Sequence, residues 1–167
     1  MSEIFTERLR LRRARTADLT AFHAMLSHPL AMRYWSSPPH REVEQTRAWL
    51  ASMIAAPPEL SDDYVVEFEG LVIGKAGCWR LPEVGYIFHP AAWGHGFATE
   101  ALRAVIAHVF ATRTAPELTA DVDPRNEASL RLLARLGFVE IGGAKRTWLI
   151  GEEWCDSVYL ALRRPDD

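Results

Sequence analysis

The sequence predicts a mixed α/β fold, and three features carry that expectation. Several short runs alternate apolar and polar residues with period two, other segments repeat apolar residues at helical spacing, and a succession of strands leads into a strand, glycine loop, helix, strand order. At 167 residues, 49% of them hydrophobic, the chain holds enough apolar material for one well-formed core, so a single domain over 1–167 is expected.

Leu9 and Leu11 alternate with Arg8, Arg10 and Arg12, which predicts a half-buried strand with its arginines facing solvent. Thr16 is placed to cap a helix that carries Asp18 in its first turn and Leu19, Phe22 and Leu26 on one face. His23 and His28 lack a spaced metal-ligating partner and read as surface or packing residues. Residues 32–40 mix aromatic and turn residues. Tyr34 and Trp35 there either wall a substrate pocket or fill the gap between two helices. In the next helix Val43, Thr46, Trp49, Leu50, Met53 and Ile54 form the predicted buried side, and Pro57-Pro58 ends it.

Tyr64 to Phe68 and Leu71 to Trp79 form a predicted hairpin joined by Glu69-Gly70, followed by a third strand over Glu83 to Phe88. Ala98, Ala101, Leu102, Val105, Ile106 and Val109 then trace the stripe of an amphipathic helix. A strand over Leu118 to Val122 precedes a helix beginning at Asn126, with Leu130, Leu133 and Ala134 inward and Gly137 at its end. Phe138 to Ile141, Trp148 to Ile150 and Trp154 to Leu162 return to strand.

The formal net charge of −3 provides no global attraction to nucleic acid or to anionic membranes, and no run reaches membrane-spanning length. Neither partner is expected. Cys78 and Cys155 are far apart and form neither a zinc pattern nor a disulfide framework, so reduced thiols, a cytoplasmic location and no metal are expected.

The stretch most suggestive of chemistry is Trp93-Gly94-His95-Gly96-Phe97-Ala98-Thr99, between a strand and a helix. Two glycines and an alanine within five positions let a ligand approach the backbone, and the helix start presents unpaired N–H groups to an anion. A Rossmann site is disfavoured because Thr99 stands where a third small residue belongs and the preceding strands form a meander; a Walker loop is excluded because no Gly-Lys-Ser/Thr sequence occurs.

The chain resembles the GNAT superfamily of acyl-CoA-dependent N-acetyltransferases over nearly its whole length. Gly96 and Ala98 match the last positions of that family's pyrophosphate motif, while Trp93 stands in place of its leading Arg or Gln. Glu83-Val84-Gly85-Tyr86, the run from Trp93 to Ala101, Asn126-x-x-Ser129, Gly137-Phe138 and Asp156 are similar to the RimJ/RimL-type branch, which includes acetyltransferases of ribosomal-protein N-termini.

The resemblance implies a mostly antiparallel, twisted sheet of about six to seven strands flanked by about four helices. It also implies that the strands Glu83–Phe88 and Leu118–Val122 splay apart to admit the pantetheine arm of acetyl-CoA. Ile87, Phe88, Trp93, Gly94, His95, Gly96, Phe97, Ala98, Thr99 and Asn126 would then contact the donor, with the Phe88 N–H facing the thioester carbonyl. Arg125 and Arg131 either meet the terminal phosphate or are solvent-exposed helix arginines.

Acetyl transfer needs a neutral amine, a polarised carbonyl and a proton for the departing thiolate. Glu83 is the candidate base, with a surface or hydrogen-bonded glutamate as the alternative. Many relatives use a tyrosine seven residues after the motif asparagine as the acid, and that position is Leu133 here. Ser129 is the next candidate, although Asn126 to Ser129 equally fits an N-cap. Neither cysteine sits in a nucleophile arrangement, which favours direct attack over an acyl-enzyme.

A primary amine is the expected acceptor, with a protein or peptide N-terminus favoured over a small amine enclosed by Tyr34, Trp35, Tyr86 and Trp148. An α-amine with pKa ~7.7 to 8.0 needs less help to become neutral than a lysine near ~10.4. A non-catalytic acyl-CoA-binding module is the alternative from another class, and either a monomer or a homodimer is compatible.

Overall fold

A computed structural model describes residues 2–166. One eight-stranded sheet runs β1 (Ile4–Phe5), β2 (Leu9–Arg12), β3 (Asp62–Phe68), β4 (Leu71–Arg80), β5 (Glu83–Phe88), β6 (Glu117–Val122), β8 (Glu153–Arg163) and β7 (Val139–Ile150) in spatial order. The helices are α1 (Leu19–Leu26), α2 (Val43–Ala55), α3 (Phe97–Thr112) and α4 (Glu127–Arg135). The two-residue β1, which pairs with β2, was not expected and adds a strand, whereas the two strands expected over Phe138–Ile141 and Trp148–Ile150 are one, β7, which runs on with irregular register through its polar middle.

Every adjacent pair is antiparallel except β5 and β6. These two run parallel and share a single register pair, Glu83 with Thr119. Beyond it they diverge. The splay therefore sits at the one place where the meander gives way to a helical crossover.

Two apolar layers cover the sheet. On one face Leu9, Leu11, Tyr64, Val66, Ala76, Leu118 and Ala120 pack with Ala101, Leu102, Val105 and Val109 of α3 and Leu133 of α4. All four α3 residues are fully buried, so the stripe read from spacing is the core face of that helix. On the other face Phe22, Met25 and Leu26 of α1 and Leu50 of α2 close over Val65 and Ile87. The connection between α1 and α2 crosses this second face without regular structure and brings Met32 and Trp35 against it.

Several local expectations are corrected. Arg12 is buried: its guanidinium makes two bonds to Asp18, at 2.8 and 2.9 Å, and its Nε donates to Glu67 at 2.6 Å. The solvent-facing reading holds at Arg8, which is exposed, and in part at Arg10, which is half-buried, but Arg12 is held against Asp18 of the Thr16–Asp18 3₁₀ turn. Thr16 is not a cap, because Asp18 reaches back to accept the Arg15 N–H at 2.8 Å and Arg15 takes the cap position. In α2 Thr46 and Leu50 are buried while Val43 and Ile54 are exposed, and Ala134 of α4 also faces outward. Thr46 lies within hydrogen-bond distance of His23 Nδ1 at 2.7 Å and His40 Nδ1 at 2.8 Å, which gives His23 a packing role. The Glu69-Gly70 reversal is as expected, with both residues at positive φ, 50° and 79°, as a type I′ turn requires.

Candidate active site

β5 builds one wall of the site. His89 N–H donates to Ile73 O at 2.9 Å, and Phe88 lies opposite Gly74. That makes Gly74 and Phe88 a non-hydrogen-bonded pair, so the N–H and C=O of Phe88 point away from β4. The same register turns those of Tyr86 outward. With β6 diverging after Glu83, these groups face an open gap. A buried backbone donor without a strand partner calls for another partner, and an extended amide-bearing ligand can supply one.

The glycine loop lies at the end of that gap. Gly96 caps α3 at φ 76°, and Glu100 N–H already reaches Gly96 O at 3.0 Å, so the N–H groups of Phe97, Ala98 and Thr99 are left over in the first turn. Gly94 also has positive φ, 79°. Trp93, at the position where the motif normally has Arg or Gln, donates its Nε1–H to the Phe88 carbonyl at 3.0 Å. This indole clamps the loop onto the end of β5 and occupies the Phe88 carbonyl, leaving the Phe88 N–H, with the outward groups of Tyr86, to face the gap.

A cleft of about 580 Å³ joins these parts. It brings together Tyr34, Trp35, Tyr86, Ile87, Phe88, Trp93, Gly94, Gly96, Phe97, Ala98, Thr99, Asn126 and Ser129 among the residues expected from the sequence. Three expected residues are outside its lining. His95 turns its ring onto Phe97, with centroids 5.5 Å apart, and only its carbonyl is engaged, by Arg8 Nη1 at 2.9 Å. Trp148 donates to Asp121 Oδ2 at 3.0 Å and so stands behind a residue that does line the cleft. Glu83 is half-buried where β5 and β6 part. Burial raises its pKa above the usual glutamate value, the Trp79 indole opposes this, and the nearby Asp121 charge adds to the rise.

At the far end of the cleft, Asn126 Oδ1 accepts the Ser129 N–H at 3.2 Å, the N-cap geometry of α4. The Ser129 hydroxyl is hydrogen-bonded to the Tyr86 hydroxyl. Burial pushes the Tyr86 phenol up to about 12, so it keeps its proton at neutral pH. This hydroxyl pair was missed from sequence. Its two members are 43 positions apart, and strand alternation alone shows only that Tyr86 shares a face with Val84 and Phe88.

The two arginines considered for a terminal phosphate are elsewhere. Arg125 bridges Asp123 and Glu153 at 2.7 and 2.6 Å, and its guanidinium lies 5.7 Å from the centre of the Tyr34 ring. Arg131 is exposed beside Glu127 on α4. Asp121, Asp123 and Arg135, none of them singled out from sequence, also line the cleft. Parity on β6 shows only that Asp121 lies on the sheet face opposite Leu118, Ala120 and Val122. Among the described residues no group of three or more His, Cys, Asp or Glu is arranged to hold a metal, and no helix is long and apolar enough to cross a membrane.

Comparison with known proteins agrees with this geometry. Residues 8–139 match the model of the acetyltransferase (GNAT) domain. The [ribosomal protein uS5]-alanine N-acetyltransferase of Escherichia coli is 40% identical over 102 residues, a stretch that spans 61% of this chain and 51% of that protein. Among solved structures, RimL, the ribosomal L7/L12 α-N-protein acetyltransferase in complex with coenzyme A, superimposes with a TM-score of 0.86 at 18% identity, covering 99% of this chain and all of that one. The spermidine N-acetyltransferase of Vibrio cholerae, in complex with CoA and spermine, gives 0.82 at 20% identity, with 95% of this chain and 97% of that chain covered. At such identities the structural likeness establishes the fold, a mixed α/β sheet splayed beside a glycine loop. With the domain match over most of its length, the chain belongs to the GNAT acetyltransferase family.

Proposed function

We propose that this protein transfers the acetyl group of acetyl-CoA by direct attack of a primary amine, and that its preferred acceptor is a protein or peptide N-terminal α-amine. The observation that carries the donor assignment is the continuity of the splayed β5 edge with the loop Gly94–Thr99 in one cleft. The loop N–H groups suit a diphosphate, and the outward backbone groups of Tyr86 and Phe88 suit a pantetheine amide chain. The Phe88 N–H polarises the thioester carbonyl. Glu83 takes the proton of the incoming ammonium, directly or through water. The neutral nitrogen then bonds to the carbonyl carbon, and as the carbon–sulfur bond breaks the now cationic nitrogen gives up its second proton, which replaces the one the Tyr86–Ser129 hydroxyl pair hands to the departing thiolate.

The acceptor enters past Tyr34 and Trp35. The α-amine reading is supported by the 40% identical stretch shared with the [ribosomal protein uS5]-alanine N-acetyltransferase and by the smaller help that an α-amine needs to become neutral. A small polyamine is the second reading. It is favoured by the carboxylates Glu83 and Asp121, which interact at the mouth of the splay and would attract a second positive charge.

The deciding measurement is acceptor-dependent release of free thiol from acetyl-CoA, compared across N-terminal peptides, amino acids and polyamines. Peptide-driven release supports the proposal, and polyamine-driven release moves the acceptor to the second reading. Tight CoA binding with no acceptor-dependent release would make the protein a binding module. In the same assay Ser129→Ala should lower kcat by about tenfold, the scale of one lost charge-assisted hydrogen bond, and leave CoA affinity unchanged. Loss of CoA affinity with intact turnover would make Ser129 a binding residue. Gly96→Val should weaken CoA binding at least about tenfold, because a branched residue at φ 76° costs about 1–2 kcal/mol of backbone strain and crowds the phosphate approach. Unchanged affinity in a folded variant would remove the loop from the donor site.

A further inference from the structure

An ion pair lies inside the apolar layer between the sheet and the helices α1 and α2. Val65, Lys75 and Ile87 stand opposite one another on β3, β4 and β5, so their side chains share the sheet face that those helices cover. Lys75 is 2% exposed. Its Nζ donates at 2.7 Å to Oδ2 of Asp63, two residues along β3 from Val65, and both side chains are buried. Gly77 makes the space for the carboxylate, since a Cβ there would come within 2.3 Å of the Asp62 carbonyl oxygen and 3.0 Å of Asp63 Oδ1.

Such a pair adds little net stability. Two charges are taken out of water, Asp63 Oδ1 has no hydrogen-bond partner among the described residues, and an apolar pair of similar volume in such a place is commonly as stable or more so. What distinguishes this pair is its neighbour at the cleft. The Lys75 ammonium lies over the Trp35 ring, 5.9 Å from its centre, within cation–π reach. Trp35 lines the cleft of the candidate active site, and it belongs to a connection, residues 27–42, with no helix or strand to fix its side chains. The apolar cluster beneath the indole holds it without regard to direction, whereas a desolvated ammonium favours one placement, over the ring face.

Resting on the reading of Trp35 as part of the acceptor's wall, we propose that Lys75 is a positioning residue for the acceptor: its ammonium, neutralised by Asp63, holds the Trp35 indole at the cleft. Lys75 is not among the residues lining the cleft, so acceptor affinity depends here on a side chain that acts through another. The donor's seat, built from the β5 edge and the glycine loop, does not depend on it.

The test is a double-mutant cycle read as acceptor KM in the thiol-release assay, with a peptide beginning in alanine and with spermidine. Lys75→Gln/Asp63→Asn keeps a hydrogen-bonding pair and removes both charges, and Lys75→Met/Asp63→Leu is its apolar counterpart should the first not fold. Either pair should raise KM about three- to thirtyfold, the scale of one cation–π contact, with kcat and CoA affinity unchanged. In a Trp35→Leu background the same pair should add nothing. Acrylamide quenching of the Trp35 fluorescence, taken as the difference between proteins with and without that indole, should increase in the uncharged pair even without an acceptor. An unchanged KM where Trp35→Leu raises it, an effect that adds fully to that of Trp35→Leu, or a matching loss of CoA affinity would overturn the proposal. Failure of both pairs to fold would make the ion pair structural and overturn it too. An unchanged KM in Trp35→Leu itself would instead take the acceptor away from this wall, and no release with either acceptor would bring down the transfer reading. In those two cases unaltered quenching would overturn the Lys75–Trp35 assignment as well, and increased quenching would uphold it.

Discussion

Glu83→Gln should lower kcat/KM by about 10²–10⁴-fold while CoA affinity is retained, the range expected when a positioned base is removed. The carboxylate lies where β5 leaves β6, and its raised pKa follows from burial, against the Trp79 indole, with a further contribution from Asp121. A raised value means that the protonated, inactive form persists to higher pH than for an exposed glutamate. Activity should therefore rise with pH through a limb lying above the ordinary value of 4.5. Asp121→Asn removes a like charge and should move that limb to lower pH. In Glu83→Gln the limb should vanish, leaving the titration of the acceptor amine. Full turnover in the glutamine variant, with the same acid limb, would take the base role from Glu83.

Arg12→Leu should destabilise the fold by about 3–5 kcal/mol, the cost of leaving buried carboxylates without their counter-charge. Its side chain and that of Asp18 are each 5% exposed, and Glu67 is 12% exposed. Urea titration reads the loss as a lower midpoint at unchanged slope. The pH dependence carries a definite sign. Burial pushes the Asp18 pKa up, but Arg12 and the Arg15 N–H outweigh it, so the folded value lies below 3.8. The pair's stabilisation is thus complete above the unfolded value and fades as pH falls through the folded one. Without Arg12 only burial and the weaker partners remain, and the loss should shrink on acidification as Asp18 becomes neutral. A midpoint shift equivalent to less than about 1 kcal/mol would show that water or neighbouring groups replace the arginine.

The glycine loop, α3 and the strand–helix order were legible because each rests on local chemistry: two residues at positive φ, a stripe at helical spacing, and a strand run that ends at a loop. Arg12 was misread because alternation reports which residues share a face and says nothing of what lies over that face. The same limit hid the Tyr86–Ser129 contact and the dispersal of Arg125 and Arg131, since side chains on different elements meet only through the packing of α4 against the sheet. Trp93 was read as a departure from a motif. The bond from its ring to Phe88 is a contact between loop and strand that the motif's spacing does not encode.

That indole bond also bears on the order in which two substrates arrive. It joins the phosphate cradle and the strand edge into one preformed unit, so the conformational entropy of shaping the donor's seat is lost during folding and not at each encounter. The wall proposed for the acceptor, at Tyr34 and Trp35, has no such regular frame, since residues 27–42 lie outside helices and strands. Steady-state kinetics should accordingly show a donor that binds free enzyme and an acceptor that binds chiefly to the donor complex.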